Sequence, residues 1–124
     1  MVRSPHAHAR VLAIDTQNAL AAPGVLTVLT ARDMLADGLR PIPHHPFALH
    51  PADIRMVNTD GSPVFAAPHY PLAPDKARYV GEAVAMVIAD TVAAAKDGAE
   101  LVGVDYAALP AVTSTVAAAQ PDAP

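Results

Sequence analysis

A chain of 124 residues holds one core and leaves little room for two. Eight basic against 12 acidic residues give a net charge of −4, which offers nothing to attract nucleic acid, and the lack of cysteine excludes disulfides, zinc–thiolate sites and cysteine-ligated iron–sulfur clusters. The 52% hydrophobic content includes 28 alanines and only five aromatics (Phe47, Phe65, Tyr70, Tyr79, Tyr106), and at roughly 25 cal/mol per Å² of buried apolar area so little side-chain volume predicts marginal stability or dependence on a partner surface.

Residues 10–15 (RVLAID) alternate as a strand does and end in Asp15-Thr16. Residues 17–22 then suit a short helix, Pro23-Gly24 a turn, and residues 25–30 (VLTVLT) a second strand. One helical turn over residues 31–35 follows, with Asp33 near its start. Residues 41–74 contain eight of the 13 prolines and four of the six histidines, which opposes continuous helix or central strand. A surface excursion over residues 37–74 is therefore expected. Within it, short apolar runs at 54–57 and 64–66 flank Asn58-Thr59-Asp60-Gly61-Ser62-Pro63, a hairpin signal.

The stretch 75–112 reads as a second strand–helix–strand unit, punctuated at each junction. A short extended piece turns at Gly81-Glu82 into AVAMVIA over 83–89, too short to cross a membrane and suited to a buried strand. Asp90 and Thr91 carry the side-chain oxygens that helix N-caps need, and residues 91–102 supply alanines with Lys96, Asp97 and Glu100 on the wet side. The helix is predicted to end near Gly103. Val104, Tyr106 and Leu109 form the returning strand and its exit, and Pro110 stops regular pairing. Residues 113–124 read as a linker with a helical turn at 116–120. The first unit echoes the second, Ile14-Asp15-Thr16 matching Ala89-Asp90-Thr91, so a two-fold internal pattern is suggested.

Chemistry-bearing groups are sparse. His6 and His8 stand at i and i+2, so on an extended segment both imidazoles face one way and form the candidate metal pair, although two histidines leave a site short of ligands. His44, His45, His50 and His69 lie in the excursion, where solvation or an interface is the ordinary role. Glu82 is the one carboxylate that could be pre-positioned as a base, and it reads better as a turn residue bonded to a backbone amide or to Arg78. Ser4, Ser62 and Ser114 have no nucleophile-elbow context, and the six glycines make no phosphate-cradling pattern. Gly24, Gly81, Glu82, Asp90, Thr91 and Pro110 are assigned structural roles, and no residue a catalytic or cofactor-binding one. No signal segment opens the chain and no run of about 18 apolar residues occurs, so a cytoplasmic location without membrane contact is expected.

In order and spacing, RSPHAHARVLAID, APGVLTVLTARDM, PLAPDKARYVGEAVAMVIADT and AELVGVDYAALPAV resemble the α/β hammerhead domain of the xanthine dehydrogenase, aldehyde oxidase and carbon monoxide dehydrogenase family, at the start of its molybdenum-binding large subunit. The resemblance spans most of residues 2–112 and is weakest over 41–67. It implies an α+β fold in which two strand–helix–strand units share a mixed sheet, with residues 1–112 forming the domain. It also implies a parent oxidoreductase carrying molybdopterin, [2Fe–2S] clusters and FAD, with the other large-subunit domains and iron–sulfur and flavin subunits as partners. The family's cofactor loops and catalytic glutamate match nothing here. Ala83 stands where proline usually follows Gly-Glu, and an upstream strand that usually precedes MVRSP is not seen, which implies a free sheet edge and a homo-oligomer through it. The expected function is therefore a non-catalytic assembly domain of a molybdenum hydroxylase. The competing reading is a free-standing binding module that holds a metal or small ligand on its histidine-bearing segments.

Overall fold

The computed structural model describes residues 1–43, 50–52, 54 and 56–123; His44 and His45 fall outside them. The chain divides into a unit of residues 1–39 with 72–124 and a unit of residues 40–71.

The larger unit contains β1 (Val2–Arg3), β2 (Ala9–Asp15), α1 (Gln17–Leu20), β3 (Val25–Thr30), α2 (Ala31–Ala36), β4 (Lys76–Ala77), β5 (Ala83–Ala89), α3 (Val92–Glu100), β6 (Gly103–Ala108) and α4 (Thr115–Ala118). The α+β class is as expected, but the single mixed sheet is not. Two antiparallel three-stranded sheets form instead, ordered β1-β5-β3 and β4-β2-β6. In the first unit connection length is the reason: parallel pairing needs a crossover of about a dozen residues or more, and only residues 16–24 join β2 to β3, whereas the longer connection of the second unit, residues 90–102, leaves β5 and β6 to pair with β3 and β2. Each unit instead contributes one strand to each sheet, β2 pairing with β6 and β3 with β5.

Both pairings slip by one residue. On β2 the extra residue is Leu12, between Val11 and Ala13; on β3 it is Leu26, between Val25 and Thr27. These bulges turn two leucines outward, 64% and 63% exposed. The core beneath is built from small side chains: Ala19, Val28, Ala85 and Val87 are buried together, with Val2, Ile14, Val25, Ala99 and Val102 packed around them. Among the described residues Val84 is the largest fully buried apolar side chain.

Helix α3 begins where the Thr91 hydroxyl accepts from the Ala94 amide at 3.1 Å. The preceding Asp90 does other work, its N–H donating to the Gly24 carbonyl at 2.8 Å and tying β5 to the turn before β3. Gly24 has φ +78°, a conformation that favours glycine. The helix ends at Glu100, short of the expected Gly103, because Gly103 already belongs to β6 opposite Asp15. Gly98 lets α3 ride close on the first sheet: a Cβ there would stand 2.7 Å from Val25 Cγ2 and 3.1 Å from Val87 Cγ1. Helix α2 opens with the Asp33 carboxylate accepting from both the Thr30 amide and the Thr30 hydroxyl, each at 2.7 Å.

In the unit of residues 40–71, Ile42 bridges His69, and Val57 bridges Pro63 across a tight turn. Gly61 has φ +82°, the Asn58 amide donates to the Ser62 carbonyl at 2.9 Å, and Asp60 receives the Ser62 amide and hydroxyl. The expected hairpin is thus a turn closed by one bridge rather than a pair of strands.

Candidate functional site

The chain bends at Ala7 and His8 before β2 begins, so the i, i+2 geometry of an extended segment does not arise. The His6 ring packs on Tyr106 with centroids 4.9 Å apart and planes tilted by 56°. His8 places Nδ1 2.7 Å from the Pro110 carbonyl oxygen, so Nδ1–H donates there. The two imidazoles thus have different partners. His50 Nδ1 accepts from the Ala52 amide at 3.2 Å, and the His69 carbonyl accepts from Ile42 at 2.7 Å. Among the described residues no three histidines, aspartates or glutamates gather closely enough to hold a metal ion.

Glu82 sits in a network of turn contacts. Its carboxylate accepts from the Arg78 backbone N–H, while its own N–H donates to the Tyr79 carbonyl at 3.2 Å. The Arg78 side chain points elsewhere, to Asp75 at 3.2 Å and the Lys76 carbonyl at 2.9 Å. Gly81, at φ +90°, donates to the Ser4 carbonyl at 2.8 Å, Ser4 donates to the Glu82 carbonyl at 2.9 Å, and Arg3 Nη1 donates to the Gly81 carbonyl at 2.7 Å. A nucleophile for Glu82 to activate is missing from these contacts.

Ser4 is only 2% exposed, and its hydroxyl oxygen accepts from the His6 amide at 3.1 Å. Beside it the Tyr106 hydroxyl is buried with no partner in hydrogen-bonding geometry. Burial pushes the Tyr106 phenol above its ordinary value, and the neighbouring Ser4 hydroxyl pulls weakly the other way. Asp33 is held below the ordinary carboxylate range, first by the Thr30 hydroxyl and then by the Thr30 amide; Asp60 is lowered likewise by Ser62. Of these groups, the Thr30/Asp33 pair was legible as a capping signature, a threonine three residues before an acid. The enclosure of Ser4 and Tyr106 has no comparable local signal.

Open grooves mark the larger unit. One of about 580 Å³ runs beside β2 and is lined by Leu12, Ile14, Leu20, Val28, Arg32, Asp33 and Pro74 among others. Another, about 630 Å³, is lined by His8, Arg78, Tyr79, Val80, Pro110 and Val112 among others. In the first groove the Thr30 hydroxyl meets the Asp33 carboxylate as part of the α2 cap, and neither groove sets a phosphate-cradling glycine loop beside its cation. With no cysteine in the chain, these residues do not fit a cysteine-ligated [2Fe–2S] cluster.

A model of the family described as aldehyde oxidase and xanthine dehydrogenase, a/b hammerhead domain, matches residues 1–53 and 48–110. The carbon monoxide dehydrogenase large chain of Afipia carboxidovorans is 39% identical over 123 residues, 99% of this chain and 13% of that one. The nicotine 6-hydroxylase large subunit of Paenarthrobacter nicotinovorans is 38% identical over 84% of this chain and 11% of its own. Among solved structures, reconstituted CO dehydrogenase from Oligotropha carboxidovorans superposes with a TM-score of 0.77 at 36% identity, over 98% of this chain and 13% of that one. Quinoline 2-oxidoreductase from Pseudomonas putida 86 gives 0.71 at 38% identity, over 94% and 13%. The chain thus spans about an eighth of the length of such relatives, and over that span it is similar to them in both sequence and fold. It belongs to the aldehyde oxidase and xanthine dehydrogenase family, as a member of its α/β hammerhead domain.

Proposed function

We propose that this chain is a non-catalytic assembly domain of a molybdenum hydroxylase large subunit, an oxidoreductase whose molybdopterin, [2Fe–2S] clusters and FAD are held by other domains or subunits. The observation that carries the reading is the contrast between core and surface. The core is built of alanine and valine, while Leu12 and Leu26 are pushed outward by register slips in the strands that hold the sheets together. Bulged leucines two-thirds exposed suit a domain covered by neighbours rather than one that works alone. In this reading residues 1–112 form the domain body, with residues 37–74 as its excursion, and residues 113–124 lead toward the next domain. The location is cytoplasmic, and no helix among the described residues is long and apolar enough to cross a membrane.

The test is a chimera. In the Afipia carboxidovorans large chain, which is 39% identical here, the matching segment is replaced by residues 1–124. The expected result is a soluble large subunit with its molybdenum content and activity retained, while the isolated chain shows neither. A chimera that fails to assemble although the isolated chain is folded, or an isolated chain that turns over substrate with bound molybdopterin, would overturn the assignment.

A further inference from the structure

Strand β4 covers only the first part of β2. It pairs Ala77 with Ala9 and Lys76 with Arg10, and the Val11 N–H then donates to the Asp75 carbonyl at 2.9 Å. The next residue back is Pro74, which has no N–H to continue the ladder. Ala73 has already left, its N–H donating to the Ala83 carbonyl at 2.8 Å on the other sheet. On its β6 side β2 stays paired through Asp15, so residues Ala13 to Asp15 have one paired edge and one to which no strand of this unit is hydrogen-bonded, and the bulged Leu12 stands at the start of that open edge.

That open edge faces the 580 Å³ groove beside β2. Leu20, Val28 and Ala31 give the groove apolar walls, and Ala73 with Pro74 close the end where β4 departs. Arg32 lines the same groove beside Asp33, whose carboxylate is already held by the Thr30 amide and hydroxyl. Arg32 lies toward the Pro74 end, because Thr30 pairs with Ala85, two residues from the Ala83 carbonyl that holds Ala73. Backbone donors and acceptors along one edge, apolar walls and a cation at one end are what an added β-strand requires.

We propose that the β2 edge from Leu12 to Asp15 is a strand-addition site for an extended, proline-free segment of the remaining large-subunit polypeptide, running antiparallel to β2 in line with β4. Its alternate side chains are apolar and enter the groove, and an acidic residue near its C-terminal end meets Arg32. The identity of the occupant rests on the assembly reading above; the edge and groove do not. The bulge at Leu12 adds a side chain that packs over the incoming strand, so the outward leucine has a use and not only a location.

The probe is an acetylated, amidated seven-residue peptide alternating valine and threonine with one glutamate at its C-terminus. The control has proline at the third position, and the receptor is the full 124-residue chain. In the chain alone, the amides of residues 12–15 that point away from β6 should exchange with solvent about tenfold faster or more than those that point toward it. Added peptide should slow those amides, with a Kd no weaker than about 1 mM, and the proline control should not. Leu12→Lys, at a position already mostly exposed, should keep the fold and lose the peptide. Uniform protection of residues 12–15 in the chain alone would overturn the inference, as would equal binding of both peptides. So would concentration-dependent self-association that Leu12→Lys abolishes, because the occupant would then be a second copy. A failed chimera with intact peptide binding removes the assembly reading and leaves the strand site; an assembled chimera without peptide binding does the reverse.

Discussion

Replacing Gly98 with alanine measures how closely α3 rides on the sheet. In an exposed helix interior the change stabilises by roughly 1 kcal/mol, because alanine has less backbone freedom to lose. Here the new methyl would lie 2.7 Å from Val25 Cγ2 and 3.1 Å from Val87 Cγ1, inside ordinary contact on two sides. Both neighbours are β-branched and stiff at χ1, and Val87 is buried, so neither swings aside without moving its strand. Overpacking of this kind costs roughly 1–3 kcal/mol, and against the propensity gain the net expectation is a loss of about 1 kcal/mol. In a chain of this size that lowers Tm by about 4 °C. Urea unfolding followed by circular dichroism reads the difference directly. Val25→Ala in the G98A background removes the closest contact and should recover part of the loss, with a coupling of about 1 kcal/mol. A G98A protein more stable than its parent by about 1 kcal/mol would mean that α3 stands off the sheet and that the packing argument is wrong.

Thr91→Ala removes the acceptor for the Ala94 amide and should cost about 1 kcal/mol, while Thr91→Ser should cost less; equal losses in urea unfolding would count against capping. The Asp33 carboxyl is lowered in the fold, so its contribution is whole above the ordinary value of 3.8 and fades as pH falls through the lower folded value. Asp33→Asn should therefore differ from the parent at neutral pH and converge on it in acid, and a pH-independent difference would refute the assignment. Tyr106 is raised, so its neutral form favours the fold below the ordinary value of 10.0, and that preference is lost as pH rises through the folded value. Because the hydroxyl is buried without a partner, Tyr106→Phe should match the parent at neutral pH and resist alkali better. A destabilisation beyond about 1 kcal/mol would show that the hydroxyl is satisfied after all.

Local chemistry was readable where it was local. The apolar run over 83–89, the threonine cap at residue 91 and the Gly81-Glu82 turn all stand where the sequence suggests, because each is decided by neighbours a few residues away. Pairing was not readable in the same way. The choice of antiparallel partners depends on connection length set against a partner more than fifty residues distant, and no local pattern in VLTVLT says that its neighbour is AVAMVIA. The bend at Ala7 and His8 sent the two histidines to different partners, which the i, i+2 spacing by itself could not reveal. Nor does the sequence announce bulges: Leu12 and Leu26 look like core residues of their strands, and only the ladder register shows that they are surplus to it.

The exchange of strands between the two halves has a consequence for how the chain is made. During synthesis Thr30 leaves the ribosome before Ala83 has been added, so β3 waits for about fifty residues before its partner exists. At roughly 5–20 residues per second that is about 3–10 s in which VLTVLT, six residues without a charge or a proline, stays unpaired. Nascent chains crowded on one message present that segment to each other before their own second half can claim it. The yield of this domain in a cell should therefore depend on chaperone capacity and on the rate of translation through residues 31–83, quantities that the stability of the finished fold does not govern.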